Sequence, residues 1–284
     1  MIEPVLALGR ESDPLFLEPQ VARATGELML DQYTNAEPFP HIVLDDFLPQ
    51  SVLDRVLEEF PKGDLTGAKV YNQGYVGGKG KAQYNPTFLT STYIRSLFHF
   101  LNSEPFIDFL EGMTGIKGLI ADPFFDGGGL HEISQAGKLG IHADFRIQRR
   151  LSLERRMNVL IYLNKDWQDE WGGRLELWDR GMKGCVKKVS PIFNRCVVFN
   201  TDATSFHGHP DDLACPPGVT RKSIALYYYT ASKAIYDEVP DNTTDYRLRP
   251  GESMENRKGK ARVAASQLIN DLMPPIVMRA LRRR

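Results

Sequence analysis

Two regimes of apolar spacing divide the chain. Up to about residue 120 the pattern is mixed: HIVLDDFL (41–48) reads as a strand, whereas SVLDRVLEEF (51–60) has apolar residues at helical spacing behind a serine, and Pro61 stops it. A second helical zone spans Thr90 to Met113. The Gly- and Tyr-rich stretch YNQGYVGGKGKAQYNP (71–86) between the two reads as a loop and as a candidate lid. From about Leu130 the signal changes to short β-rich segments, GLHEIS, LGIHADF, MNVLIYLN, GGRLELWD, RCVVFN and KSIALYYYT, separated by Gly, Pro, Asn and Asp. In GGRLELWD, Leu175 and Leu177 alternate with Glu176 and Trp178, as in a sheet with unlike faces.

This spacing predicts an α+β, mainly β fold: an all-β sandwich or jelly roll, with the upstream helices packed outside one sheet. The dense apolar runs end after Tyr229, so the expected organisation is a lead-in over 1–120, a core over 121–232 and an extension over 233–284. In that extension, ARVAASQLINDLMPPIVMRALRRR has apolar residues at helical spacing, a Pro-Pro break and a basic end. It predicts a helix packed on the domain or on a second subunit of a homodimer, with reversible contact to an anionic membrane surface as the sharper alternative.

Composition narrows the function classes. Thirty-five Lys and Arg against 36 Asp and Glu leave a formal charge of -1, which gives no electrostatic case for nucleic acid. The N-terminal residues lack the basic flank and long apolar run of a signal peptide or membrane span, and the three cysteines, Cys185, Cys196 and Cys215, suit reduced packing thiols. A soluble cytoplasmic protein acting on a small molecule, a glycan or a peptide is expected.

The candidate chemistry lies in the β-rich half. His142 and Asp144 are two apart on an extended segment, so an imidazole and a carboxylate face the same point. FHGHP (206–210) follows the apolar run CVVF and offers a third ligand, either His207 or His209; spacing leaves both open. Two histidines and one carboxylate on one side of a metal form the facial triad of non-haem Fe(II) oxygenases. Arg221 opens the strand RKSIALYYYT, where a guanidinium can grip a carboxylate through two parallel hydrogen bonds. Lys222 should face the other way, while Ser223 and Tyr227 share the face of Arg221.

From Gly127 to Thr230 the sequence resembles the 2-oxoglutarate and Fe(II)-dependent oxygenases, and within them the prolyl-4-hydroxylase-like branch. The resemblance is carried by HAD (142–144), IYLNKDW (161–167), GGRLELW (172–178), NRCVVFN before FHGHP, and RKSIALYYY. It implies a double-stranded β-helix with flanking N-terminal helices. It also implies His142, Asp144 and His207 as the metal ligands, with no catalytic side chain beyond them and His209 left beside the site. Arg221 and Tyr162 are implied for 2-oxoglutarate, and Asn158 and Ser223 share their faces. The implied cofactors are Fe(II), 2-oxoglutarate and O2, with ascorbate as an accessory reductant. The implied reaction is hydroxylation of an unactivated C–H bond of a prolyl or amino-acid-type substrate, with 2-oxoglutarate leaving as succinate. A departure is the separation of His207 from Arg221, fourteen residues bridged by PDDLACPPGVT. The rival readings are a cupin-type jelly-roll metalloenzyme that does not use 2-oxoglutarate, and the same oxygenase chemistry on a glycan or natural product. The five arginines of RIQRRLSLERR (146–156) are expected in a loop over the mouth, solvated or attracting an anionic substrate.

Overall fold

The computed structural model describes residues 3–9, 13–62, 67–89, 91–231 and 244–251. The basic C-terminal helix expected from 261 onward lies outside the described residues, as does most of the 233–284 extension. The N-terminal region supplies α1 (Pro19–Glu27), α2 (Leu30–Thr34), β1 (His41–Leu44) and α3 (Gln50–Glu58). α3 begins one residue before the expected serine start, directly after Pro49, and no side chain caps it. The second helical zone is two helices, α4 (Thr92–Leu101) and α5 (Glu104–Thr114), broken at Asn102 and Ser103.

The stretch read as a loop is instead mostly a hairpin. Its arms are β2 (Ala68–Tyr71) and β3 (Lys79–Tyr84), paired from Ala68 opposite Tyr84 to Tyr71 opposite Lys81. Beyond a two-residue strand β4 (Ile120–Ala121) lies β5 (Gly129–Ala143), one long strand where two segments were expected. There follow β6 (Ile147–Gln148), β7 (Leu153–Tyr162), β8 (Leu175–Trp178), β9 (Cys185–Val189), β10 (Cys196–Asn200), β11 (His207–His209), β12 (Arg221–Ala231) and β13 (Asp245–Tyr246).

The main path of strands runs β1-β10-β7-β12-β5-β11-β8-β9, antiparallel at every step, and forms a mainly β, nearly closed eight-strand barrel of the double-stranded β-helix kind. β5 belongs to both halves. Its first part pairs with β12 on one side and β3 on the other, and its last part pairs with β11 and β13.

Strand alternation sorts the side chains. Met157, Val159 and Ile161 of β7, with Ile224, Leu226 and Tyr228 of β12, face outward into a large core shared with Phe47, Leu53, Leu97, Phe98, Phe106 and Phe109 of the helical layer. The intervening residues, Asn158 and Leu160 of β7 and Arg221, Ser223 and Tyr227 of β12, line the barrel cavity. The helices therefore clamp the outside of the sheet whose inside carries the site.

At Gly129, where β5 starts, the backbone has φ +114° and a Cβ would stand 2.1 Å from the Tyr84 carbonyl oxygen of β3. Only glycine allows both the dihedral and the approach. Gly129→Ala is expected to cost about 1–3 kcal/mol of stability as backbone and hairpin shift apart, read from the midpoint of a chemical denaturation curve. An unchanged midpoint would show that the junction of hairpin and barrel yields freely.

Candidate metal centre

Antiparallel pairing sets His207 of β11 directly opposite His142 of β5, and Asp144 follows two residues on, just past the end of β5. One donor atom from each of the three side chains lies within 4.8 Å of the others. His142 Nε2 is 3.7 Å from Asp144 Oδ1, and His207 Nε2 is 3.4 Å from Asp144 Oδ2. Each histidine spends its other nitrogen on the backbone: Nδ1 of His142 on Gly140 O at 2.8 Å, and Nδ1 of His207 on Ser205 O at 2.9 Å. A carbonyl only accepts, so Nδ1 carries the proton and Nε2 turns a lone pair to the centre. Burial, and next the facing His142, push His207 down to about 4, so it is a neutral ligand near pH 7.

Asp144 is the most heavily supported of the three. Its Oδ2 accepts from Asn158 Nδ2 at 2.8 Å and stands 3.0 Å from the Arg155 guanidinium. Arg155 in turn donates to Asn158 Oδ1 through Nη2 (2.6 Å) and Nε (3.1 Å), and its guanidinium covers the Tyr227 ring at 3.5 Å. Burial alone would raise the Asp144 carboxyl, but Arg155 and then the two histidines outweigh it and hold the group well below the usual carboxylate range. The centre thus sets a carboxylate held low and two imidazoles with Nε2 turned inward round one point, a set that fits a divalent transition metal and leaves one side open.

Arg155 is the functional residue the sequence did not single out. Of the five arginines expected in a loop, it is buried in β7 at 2% exposure. A β-bulge accounts for this. Tyr228 pairs with Met157, but Tyr229 pairs with Arg155, skipping Arg156. Simple alternation from Asn158 would send Arg155 to the outer face; the extra residue returns it to the inner one. Among the other arginines, Arg146 pairs with Glu154 and Arg150 lies over the Phe124 ring.

All but Lys222 of the remaining candidate site residues line the same cavity or its wall, a space of about 330 Å³. Arg221 donates through Nε to Gly173 O at 2.8 Å and through Nη2 to the Tyr162 hydroxyl at 3.3 Å. Ser223 sits opposite Tyr162 in the β12–β7 register. Asn158 faces the cavity, but its hydrogen bonds go to Asp144 and Arg155. Lys222 faces away and meets Thr220 and Glu132. His209 is buried, neither ring nitrogen is hydrogen-bonded among the described residues, and the side chain projects into the cavity beside Arg221. The hairpin read as a lid contributes Tyr71, Gly77, Lys81 and Gln83 to the lining. Trp178 is buried beneath β8, its indole N–H on Glu176 Oε2 at 2.9 Å.

Residues 128–229 match the family model described as the 2OG-Fe(II) oxygenase superfamily, a stretch that runs from the start of β5 almost to the end of β12. No curated protein matches the chain. Among solved structures, a prolyl hydroxylase from Trichoplax adhaerens, in complex with a hypoxia inducible factor oxygen degradation domain peptide fragment, is 22% identical over 74% of this chain and 91% of its own, with TM-score 0.44. A prolyl-4-hydroxylase from Pseudomonas putida is 15% identical over 72% of this chain and 99% of its own, with TM-score 0.46. HygX from Streptomyces hygroscopicus, with nickel and 2-oxoglutarate bound, is 12% identical over 72% and 86%, with TM-score 0.48.

Removing Asn158 would free both Asp144 and Arg155 to reorient. Asn158→Ala is expected to weaken divalent metal binding about 10- to 100-fold in competition against a chelating dye, with the fold retained by circular dichroism. Wild-type affinity in that variant would mean that Arg155 alone suffices to orient the carboxylate.

Proposed function

We propose that this chain, whose residues 128–229 match the 2OG-Fe(II) oxygenase superfamily model, hydroxylates a C–H bond of a prolyl or amino-acid-type substrate. In this reading His142, Asp144 and His207 hold Fe(II), and Arg221 anchors 2-oxoglutarate. When bound, iron and 2-oxoglutarate supply an oxidant from O2 that removes hydrogen from carbon, while the 2-oxo acid leaves as succinate and carbon dioxide.

The observation that carries the reading is Arg221. It is 5% exposed, and among the described residues no carboxylate lies within ion-pair distance of it. Burial lowers its proton affinity, with Tyr162 partly compensating. A buried guanidinium without an anion is costly unless a ligand supplies one. The distal carboxylate of a 2-oxo acid meets that need in the cavity that holds the triad. A cupin-type reaction without 2-oxoglutarate would leave this cation uncompensated, which favours the oxygenase reading.

The chain's own groups divide the work. Gly173 O and the Tyr162 hydroxyl fix the Arg221 fork before any ligand arrives, so little side-chain freedom is lost on binding. Ser223, next to Tyr162 in register, offers a hydroxyl to the same carboxylate. Phe199 stacks edge-on against His207 at 4.6 Å and Tyr246 lies against His142 at 5.0 Å, closing water out from behind both imidazoles. Asp144 retains the carboxylate whose loss in halogenating relatives makes room for halide, which favours hydroxylation. The resemblance of IYLNKDW and its neighbours to the prolyl-4-hydroxylase-like branch supports a prolyl or amino-acid-type substrate.

Anaerobic titration of the apoprotein with Fe(II) and then 2-oxoglutarate should develop the weak visible charge-transfer band of a chelated 2-oxo acid. The band should vanish in His207→Ala. In Arg221→Ala it should need at least about 30-fold more 2-oxoglutarate, as expected when one member of a buried charge pair is removed. Iron binding with no band in the wild type would move the cupin-type reading to first place.

A further inference from the structure

The cavity carries more positive charge than the metal chemistry uses. Lys69, Lys81, Arg155 and Arg221 line it, against Asp126 and Asp144 as the carboxylates among its described residues. Arg155 is neutralised by Asp144, and Arg221 is assigned to 2-oxoglutarate. Iron brings two positive charges and 2-oxoglutarate two negative ones, so with both aboard the four lining cations still outnumber the two lining carboxylates.

Those lysines belong to the hairpin that extends the cavity wall beyond β5. Register places Lys81, Ile133 and Arg221 in one row across β3, β5 and β12, with Tyr71 beyond Lys81. Lys69, Gln83, His131 and Ser223 form the next row. Two strand spacings separate the Lys81 and Arg221 backbones, roughly 10 Å. Arg221 leans away toward Gly173 and Tyr162, so the two cations serve different parts of the space.

Lys81 is partly buried, and Lys69 stands at the rim. Their ammonium groups approach the Tyr71 ring at 5.2 and 5.1 Å, and the Tyr71 hydroxyl is held by Gln83 Oε1 at 2.7 Å. No carboxylate among the described residues lies within ion-pair distance of either lysine. Elsewhere on the hairpin the rule is different: Lys79 pairs with Asp212, which also takes Lys138.

We propose that Lys81, with Lys69 and the Tyr71 platform, forms a subsite for an anionic group of the substrate, a carboxylate or a phosphoryl group. This rests on the oxygenase reading, and it selects among substrates: one carrying negative charge at one end and the oxidised carbon toward the triad. The surroundings support it further. Burial, with the positive charges of Arg221, Lys69 and Arg155 added, lowers Lys81 to about 8 despite the opposing pull of Asp144. A docked anion would restore it to a full cation and gain a charge-assisted hydrogen bond.

Pyridoxal 5′-phosphate, an anionic aldehyde, tests the subsite directly. Its carbonyl condenses with a neutral amine to an imine with loss of water, and borohydride reduces the imine to a stable secondary amine located by peptide mass mapping. The reaction is run on the apoprotein and on protein loaded with Zn(II) and 2-oxoglutarate, so neither turnover nor iron is needed. Labelling should saturate, concentrate on Lys81 and be slowed about tenfold by inorganic phosphate or by acetate at ten times its Kd. Protection by phosphate alone assigns a phosphoryl group; protection by acetate assigns a carboxylate. Lys81→Gln should lose the label while its melting curve stays in place, and the wild-type mapping decides the matter should that variant misfold. Label spread over exposed lysines such as Lys62 and Lys117, indifferent to both anions, would overturn the subsite. So would protection by 2-oxoglutarate alone that disappears in Arg221→Ala, because Lys81 would then belong to the co-substrate. Failure here with an intact charge-transfer band leaves the oxygenase reading standing; a missing band with anion-protected labelling does the reverse.

Discussion

Everything at the centre depends on one register: β11 lies against β5 so that His207 faces His142. Side chains on a strand alternate, so a slip of one residue would turn His207 into the wall and bring Gly208 to the metal position. The register is held from both sides, because β11 is also paired to β8, with His207 opposite Leu177. Backbone acceptors then fix which imidazole nitrogen looks inward, at Gly140 and at Ser205. The triad is thus specified by main-chain geometry before any metal is considered, and the helical layer contributes by packing Phe106, Phe109 and their neighbours against the outside of the sheet.

Charge is the second constraint, and it is resolved locally rather than across the molecule. A net charge near zero conceals a cavity where cations outnumber anions. Asp144 is the pivot, since it is shared by Arg155, Asn158 and two imidazoles. A carboxylate held by the Asn158 and Arg155 donors stays ionised and oriented, but it also donates less electron density to a metal than a free one would. Arg155 therefore stiffens the carboxylate, while Arg221 has no carboxylate within ion-pair distance among the described residues.

Much of this was legible from residue order. His142, the distal histidine, the arginine fourteen residues on and Tyr162 lie on strands and Asp144 just past the end of one, and the structure collects them round one cavity and its wall. What escaped has identifiable causes. The β3 segment KGKAQY shows no apolar alternation because its inner face is polar cavity wall, so it read as a loop. Arg155 was hidden by a bulge, which shifts the phase of alternation by one and leaves no mark in hydropathy. β5 was divided in two because Gln135, Ala136 and Gly137 look like a turn, and Ala136 indeed takes φ 56° inside the continuous strand. The choice between His207 and His209 came from resemblance, since spacing could not make it.

The length of β5 fixes how far apart the triad and the hairpin lysines stand. One continuous strand carries His142 near one end and, through Ile133 and His131, seats the hairpin lysines near the other. The distance between the oxidising centre and the outer cations is therefore a property of a single piece of backbone, not of two domains that open and close. If the lysines hold the anionic end of the substrate as proposed, such a strand would work as a fixed caliper: molecules too short to span it would not engage both ends at once, and ones too long would be pushed out past the rim at Lys69. Selection by length would then be built into the barrel wall itself.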